Sequence, residues 1–356
     1  MKVTCKTLLL LAGLAFLLAG CQKEGRFGSD KHLIRFTAAA DAQTKASYSG
    51  ETADGFERIN WEEGDQIRIW SPQAVDRYQE AKHYADYKVS EITEMSGRYS
   101  RAKIVNAQDA TGNPSAPEND NANGLIWGDP GEYTFYASYP ITPDGTMGKI
   151  KGNIPAQQTL LEHTYSSGTI YEPDMTAYGY MTAMATVTTT ISGEGPSGGV
   201  NLNFDPAFTA FEFKVLAGAD DVVELSSFTI ETLSDDSVMA GDFVIDCATK
   251  IVTPGAIGGS SSVTVDLSGH SVSEDNPLTF TVFALPIDLT NLKITLVGDK
   301  IGTRSLLLND KNGTAVPFTA CHKYKSTLRL PNLLWTSGED LIWDLETVGQ
   351  DLIWDN

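Results

Sequence analysis

Cysteine is scarce in this chain. Four occur in 356 residues, at positions 5, 21, 247 and 321. No two share a CxxC spacing, which argues against a zinc site. Basic residues are few as well. Lys and Arg number 26 against 46 Asp and Glu, a net charge of −20, and such a surface repels nucleic acid. The five histidines, at 32, 83, 163, 270 and 322, are scattered and none stands at metal-ligand spacing with another. There is no GxSxG elbow and no P-loop. Residues 309–313 (NDKNG) superficially resemble a calcium loop, but they lack the later Glu and carry Lys311, so they read as a hairpin turn. No cofactor, metal or enzymatic activity is expected. Long helix-period runs are missing too, whereas Thr, Ser and Gly are abundant, the composition of an all-β extracellular protein.

The one long apolar run, Leu8 to Leu18, is too short to span a bilayer. It follows Lys2 and Lys6 and leads into Leu18-Ala19-Gly20-Cys21, small residues before a cysteine. Residues 1–20 therefore read as a lipoprotein signal peptide cut between Gly20 and Cys21, with Cys21 acylated and held to a membrane by its lipid. Residues 21–31 (CQKEGRFGSDK) form a polar tether. Cys5 leaves with the signal. Cys247 and Cys321 remain, as a disulfide or as two buried thiols.

The first strand is expected over 32–40 (HLIRFTAAA), with Ile34, Phe36 and Ala38 on one face and Arg35, Thr37 and Ala39 on the other. A polar loop from Asp41 to Glu57 follows and holds Lys45. Gly64-Asp65 marks a tight turn before an alternating strand with Ile67 and Ile69. A strand is read within 81–92, with a short helix as the competing reading of 73–85. Residues 107–124, rich in Asn, Asp, Pro and Gly, form a long loop. GEYTFYASYP (131–140) carries aromatics on both faces, which suits a central strand. YGYMTAMATV (178–187) fits neither a helical nor a clean strand period. GEGPSGG (193–199) reads as the interdomain linker. Beyond it, alternating runs such as FTAFEFKV (208–215) and LTFTVFA (278–284), separated by Gly, Asp and Asn turns, read as a β-sandwich. Length and this restart give two domains, 32–190 and 200–331, with a tail at 332–356.

The tail repeats one motif, DLIWD, at 340–344 and again at 351–355, eleven residues apart. In an extended chain Leu341, Trp343 and Leu345 share a face, and so do Leu352 and Trp354. Tryptophans on a free tail are aggregation-prone, so these are expected to bind something. Either they pair with another molecule, or the tail folds back as a final strand pair through the turn at 346–350. Trp61, Trp70 and Trp127 are expected in the core.

The lipobox cysteine followed in order by IRFTAAADAQTKASYSG, ERINWEEGDQIRIWS, GEYTFYASYP, IPAQQTL, MTAMATV, VNLNFDPAFTAFEFKV, MAGDFVID, FTVFALP and VPFTACHKYKSTLRL resembles the fimbrillin family of the Bacteroides group. These are subunits and accessory proteins of lipoprotein-derived pili, and the likeness spans roughly residues 21–330. The resemblance implies two tandem transthyretin-like β-sandwich domains after the signal peptide, with a C-terminal strand extension. It implies a surface trypsin-like protease that cuts after the first strand, at Lys45 or, at the loop's edge, Arg58. The first strand leaves with the lipid, and a donor strand from the tail of another copy or a related subunit takes its place. Leu341, Trp343 and Leu345 would then occupy the sites of Ile34, Phe36 and Ala38. Arg35, inside the strand, is expected to be shielded. The competing reading is a monomeric surface lipoprotein, either an anchor subunit or an adhesin that binds a glycan or host protein.

Overall fold

The computed structural model describes residues 33–40, 47–51, 57–76, 83–96, 99–107, 124–142, 146–165, 168–218, 221–235, 237–255, 258–308, 315, 317–330 and 342–344. Within them the chain is almost wholly β, around two separate hydrophobic cores.

The first core is enclosed by a closed barrel. In chain order its strands are β1 (Phe36–Ala40), β4 (Gln66–Trp70), β6 (Tyr84–Ser96), β7 (Tyr99–Asn106), β9 (Gly131–Tyr139), β14 (Met181–Thr189) and β15 (Val200–Pro206), and around the barrel they run β1-β15-β14-β9-β4-β6-β7. Only the β1–β15 pair is parallel. Period-2 alternation sends Ile67, Ile69, Tyr87, Val89, Tyr133, Phe135, Ala137, Leu202 and Phe204 inward. β9 is flanked by β4 and β14, the central position its aromatics suggested. Gly64, at φ +97°, lets the chain turn ahead of β4. There Asp65 accepts from the Glu62 N–H (2.8 Å) and from the Tyr139 hydroxyl (3.1 Å). Two small ribbons lie beside the barrel: β2 (Ser47–Glu51) with β3 (Glu57–Asn60), and β5 (Val75–Asp76) with β8 (Leu125–Ile126).

The second core lies between three sheets. One is β10 (Lys149–Ile154), β18 (Gly241–Asp246) and β19 (Val252–Pro254). Another runs β11 (Gln157–Gln158), β20 (Ser262–Asp266), β17 (Val223–Thr232), β23 (Leu292–Gly298), β24 (Gly302–Leu307), with β21 (Ser271–Val272) on β17. The third runs β12 (Leu160–Tyr165), β13 (Gly168–Pro173), β22 (Leu278–Ala284), β16 (Thr209–Leu216), β25 (Lys323–Arg329), β26 (Ile342–Asp344). Phe213 and Phe280 of the third sheet meet Phe228 of β17 with centroids 4.6 and 5.0 Å apart. A single turn of helix, α1 (Met175–Tyr178), is capped by Asp174.

Several expectations need correction. The expected loop at 41–57 contains β2, which pairs with β3. YGYMTAMATV contributes the start of β14, whose nine residues pair with β9 throughout; its first three residues are all buried, and this hid the alternation. The residues of 73–85 that are described hold β5 and the start of β6 rather than helix.

GEGPSGG does not separate the two cores. After it, β15 completes the barrel; before it, β10 to β13 pair with strands of the second core. The chain thus leaves the barrel after β9, builds into the second core over 146–178, and returns as β14. Two of the four glycines of GEGPSGG, Gly195 and Gly199, serve close contact rather than reach. A Cβ on Gly195 would lie 2.1 Å from the Trp127 indole, and one on Gly199 (φ +75°) would lie 2.6 Å from the Arg35 carbonyl oxygen.

Candidate functional site: the first strand and its seat

β1 and the residues just before it close the barrel. Ile34 and Ala38 are fully buried, and Leu33 and Phe36 nearly so. Leu33 bridges Ile126, the Ile34 N–H donates to the Leu125 carbonyl (2.9 Å), and the Val200 N–H donates to the Arg35 carbonyl (2.8 Å). From Phe36 onward, both edges of the strand are engaged. Residues 36–40 pair with 200–204 of β15, and 37–40 with 103–100 of β7. The hydroxyl of Thr37 donates to the Asn201 side-chain oxygen on the outside. Arg35 is exposed as a side chain, so what is engaged there is its backbone.

The three inward side chains occupy sites of unlike size. Phe36 sits edge-on to Tyr87 (5.1 Å) and to Phe135 (5.2 Å). The Tyr87 hydroxyl accepts from the Leu125 N–H at 2.8 Å, which ties this aromatic site to the segment that also holds Ile34. Phe135 in turn meets Trp127 (5.7 Å), which stands against Tyr133 (4.9 Å) and against Gly195. Ala38 lies between Ala102 and Leu202 in register, the smallest of the three sites.

Arg58 lies within β3, not in open loop. Lys45, Gly20 and Cys21 lie outside the described residues, as do Leu341, Leu345, Leu352, Trp354 and the turn at 309–313. Trp343 is in β26, which pairs antiparallel with β25: Ile342 opposite Arg329, Trp343 opposite Leu328 and Asp344 opposite Thr327. Residues 342–344 of the first DLIWD copy are thus seated on β25 of their own molecule, and the turn at 346–350 lies outside the described residues.

Trp61, Trp70 and Trp127 are buried. Cys247 and Cys321 are free thiols, and burial pushes each up to about 12. Among the described residues no group of His, Cys, Asp or Glu is arranged to hold a metal.

The fimbrillin-like family model matches residues 44–344. The chain belongs to the fimbrillin-like family. No curated protein sequence matches it. A candidate cell adhesion protein from Bacteroides ovatus shares the fold at TM-score 0.53 and 14% identity, covering 89% of this chain and 96% of that one. A fimbrial assembly protein from Parabacteroides distasonis (TM-score 0.41, 8% identity, 87% of this chain and 94% of that one) and the tip fimbrial protein Mfa3 from Porphyromonas gingivalis (TM-score 0.42, 8% identity, 87% and 98%) are also similar. Membership in this family supports a fimbrial protein whose partners are other pilus subunits.

One feature was not legible in advance. The contact of Gly195 and Gly199 with the seat of β1 was hidden in a stretch whose composition reads as linker.

Proposed function

We propose that this protein is a non-enzymatic pilus subunit, exported as an outer-membrane lipoprotein acylated at Cys21, and polymerised by exchange of its first strand. The observation that carries the reading is the position of β1. It is the first strand of the barrel in the chain, so a single cut after it detaches it covalently, yet it fills the gap between β7 and β15. Full burial of a large apolar side chain is worth about 1.5–3 kcal/mol. Leu33, Ile34 and Phe36 together then supply roughly 5–9 kcal/mol, on the scale of a whole domain's net stability, about 5–15 kcal/mol. A barrel cut behind β1 therefore has a strong drive to take up another strand, which brings both main-chain pairing and apolar side chains. A head-to-tail contact of this kind does not close on itself and builds a filament.

The cut falls at Lys45 or Arg58, made by a trypsin-like surface protease. Arg58 is the harder target, because its strand is paired with β2 and proteases need extended, accessible backbone. The donor is the tail of another copy or a related subunit. Trp343 or Trp354 suits the aromatic site of Phe36. Leu345 in the place of Ala38 requires Ala102 and Leu202 to give way, so the incoming register is set at the Phe36 site.

A second reading has its own support. β26 already pairs in cis with β25, and a tail that stays there leaves a monomeric lipoprotein, an anchor subunit or an adhesin. Hydrogen exchange on the uncut and the trypsin-cut protein distinguishes the two. Exchange assembly with the first DLIWD copy as donor predicts that β25 amides lose protection as β7 and β15 amides regain it, whereas β7 and β15 amides that stay unprotected after cutting contradict exchange through either copy.

A further inference from the structure

β10 is an edge strand: β18 pairs with it on one side, and no described strand pairs on the other. The Cys247 N–H donates to the Gly148 carbonyl (2.9 Å), and Gly148 precedes the paired run. By antiparallel alternation, Ile150, Gly152 and Ile154 turn their backbone groups to β18, and Lys149, Lys151 and Asn153 turn theirs to the open edge. Lys149 exchanges two bonds with Thr146, both 2.8 Å. The Asn153 N–H donates to the Tyr180 hydroxyl (3.1 Å), which donates to the Asn153 carbonyl (3.3 Å). Between them the N–H and C=O of Lys151 have no partner among the described residues.

A cleft of about 640 Å³ opens at this point, a size suited to a small ligand. Pro140 and Thr142, at the end of β9, form one wall and Ala177 of α1 another. At the rim the Asn153 side-chain amide donates to Asp242 Oδ1 (2.7 Å), and the amide oxygen and the second carboxylate oxygen have no partner among the described residues. The floor is aromatic and kept flush by Gly152, where a Cβ would fall 2.5 Å from the Phe243 ring and 2.9 Å from Tyr180.

A free donor and a free acceptor on one residue, facing the same way, complement a single secondary amide. Strand addition needs the same free pair at every second residue, and here both neighbouring pairs are taken. The amide is therefore isolated in its ligand. Around it stand donors and acceptors suited to hydroxyl groups, and Asp242 disfavours an anion.

We propose that this cleft binds an N-acetylated sugar. Its acetamido group bridges the N–H and C=O of Lys151, and its ring hydroxyls meet Asn153 and Asp242. The site is independent of whether the subunit polymerises.

Saturation-transfer NMR and calorimetry with the full chain test this, using methyl N-acetyl-β-glucosaminide, methyl N-acetyl-β-galactosaminide and their non-acetylated parent glycosides as probes. At least one acetamido sugar should bind about tenfold or more tightly than its parent, the worth of a well-made hydrogen-bonded pair. Ala177→Trp, which fills the cleft, should abolish binding, and Asp242→Ala on the exposed rim should weaken it while leaving the melting curve unchanged. Equal binding of acetylated and parent sugars, no binding of any, or binding that survives both substitutions overturns the proposal. So does tighter binding of N-acetylalanine methylamide, which would make the site a peptide site.

Discussion

Replacing Phe36 by alanine removes the largest side chain of β1 from a site where it is 2% exposed and edge-on to two rings, Tyr87 and Phe135. A buried Phe→Ala change costs about 3–5 kcal/mol, and the two aromatic contacts account for about 0.5–1.5 kcal/mol each within that. For a unit of this size the loss corresponds to a fall in Tm of roughly 6–20 °C. The effect should be confined to the barrel, because its core and the second core share no buried residue. In a urea titration of Phe36→Ala, hydrogen exchange read by mass spectrometry should show the barrel amides losing protection early, with the second-core amides unmoved. Arg35→Ala, one residue earlier and exposed, should stay within about 0.5 kcal/mol of the parent. A loss below about 1 kcal/mol for Phe36→Ala would refute the argument that β1 side chains hold the barrel shut.

Four further outcomes follow from the same contacts. Gly199→Ala should destabilise the barrel by about 1–3 kcal/mol, because the residue needs positive φ and faces the Arg35 carbonyl at 2.6 Å; chemical denaturation reads it. The buried pair Lys323–Glu212 (2.7 Å, side chains 7% and 11% exposed) should make Glu212→Leu costly, about 3–5 kcal/mol, while the double change with Lys323→Leu recovers most of the loss; a double-mutant cycle measures both. Lys250 reaches across from the β18–β19 turn to Asp205 (2.9 Å) and to the Thr182 hydroxyl (3.0 Å) and carbonyl (3.2 Å). Since both charges are partly exposed, Lys250→Met should cost only about 1 kcal/mol, visible as narrowed cooperativity between the barrel and second-core transitions. With their thiols pushed up to about 12, Cys247 and Cys321 carry little thiolate at pH 8, so the folded protein should resist alkylation there and react only once unfolded; mass spectrometry counts the adducts.

Much of the barrel could be read from alternation. Ile34, Phe36 and Ala38 mark the buried face of β1 and the residues just before it, and Ile67 and Ile69 that of β4, because one buried face imposes period 2. Pairing between distant segments could not be read. The chain's departure from the barrel over 146–178 depends on β18, β20 and β22 being available as partners, and no local signal announces that. Glycine misled in 193–199 because the same residue serves flexibility and close approach; only the neighbours, Trp127 and Arg35, tell them apart. The cleft at Lys151 illustrates the same limit. Along β10 exposed Lys149, Lys151 and Asn153 alternate with buried Ile150 and Ile154, but which backbone groups stay unpaired is decided by Thr146 and Tyr180.

The most direct test of the central claim is limited trypsin digestion of the folded, lipid-free protein, followed by intact mass and an unheated SDS gel. The account predicts a cut at Lys45 or Arg58, loss of the segment that carries β1, and an SDS-resistant ladder that disappears when residues 339–356 are deleted. A cut protein that sheds β1 and stays monomeric, or a ladder that persists without the tail, would contradict it.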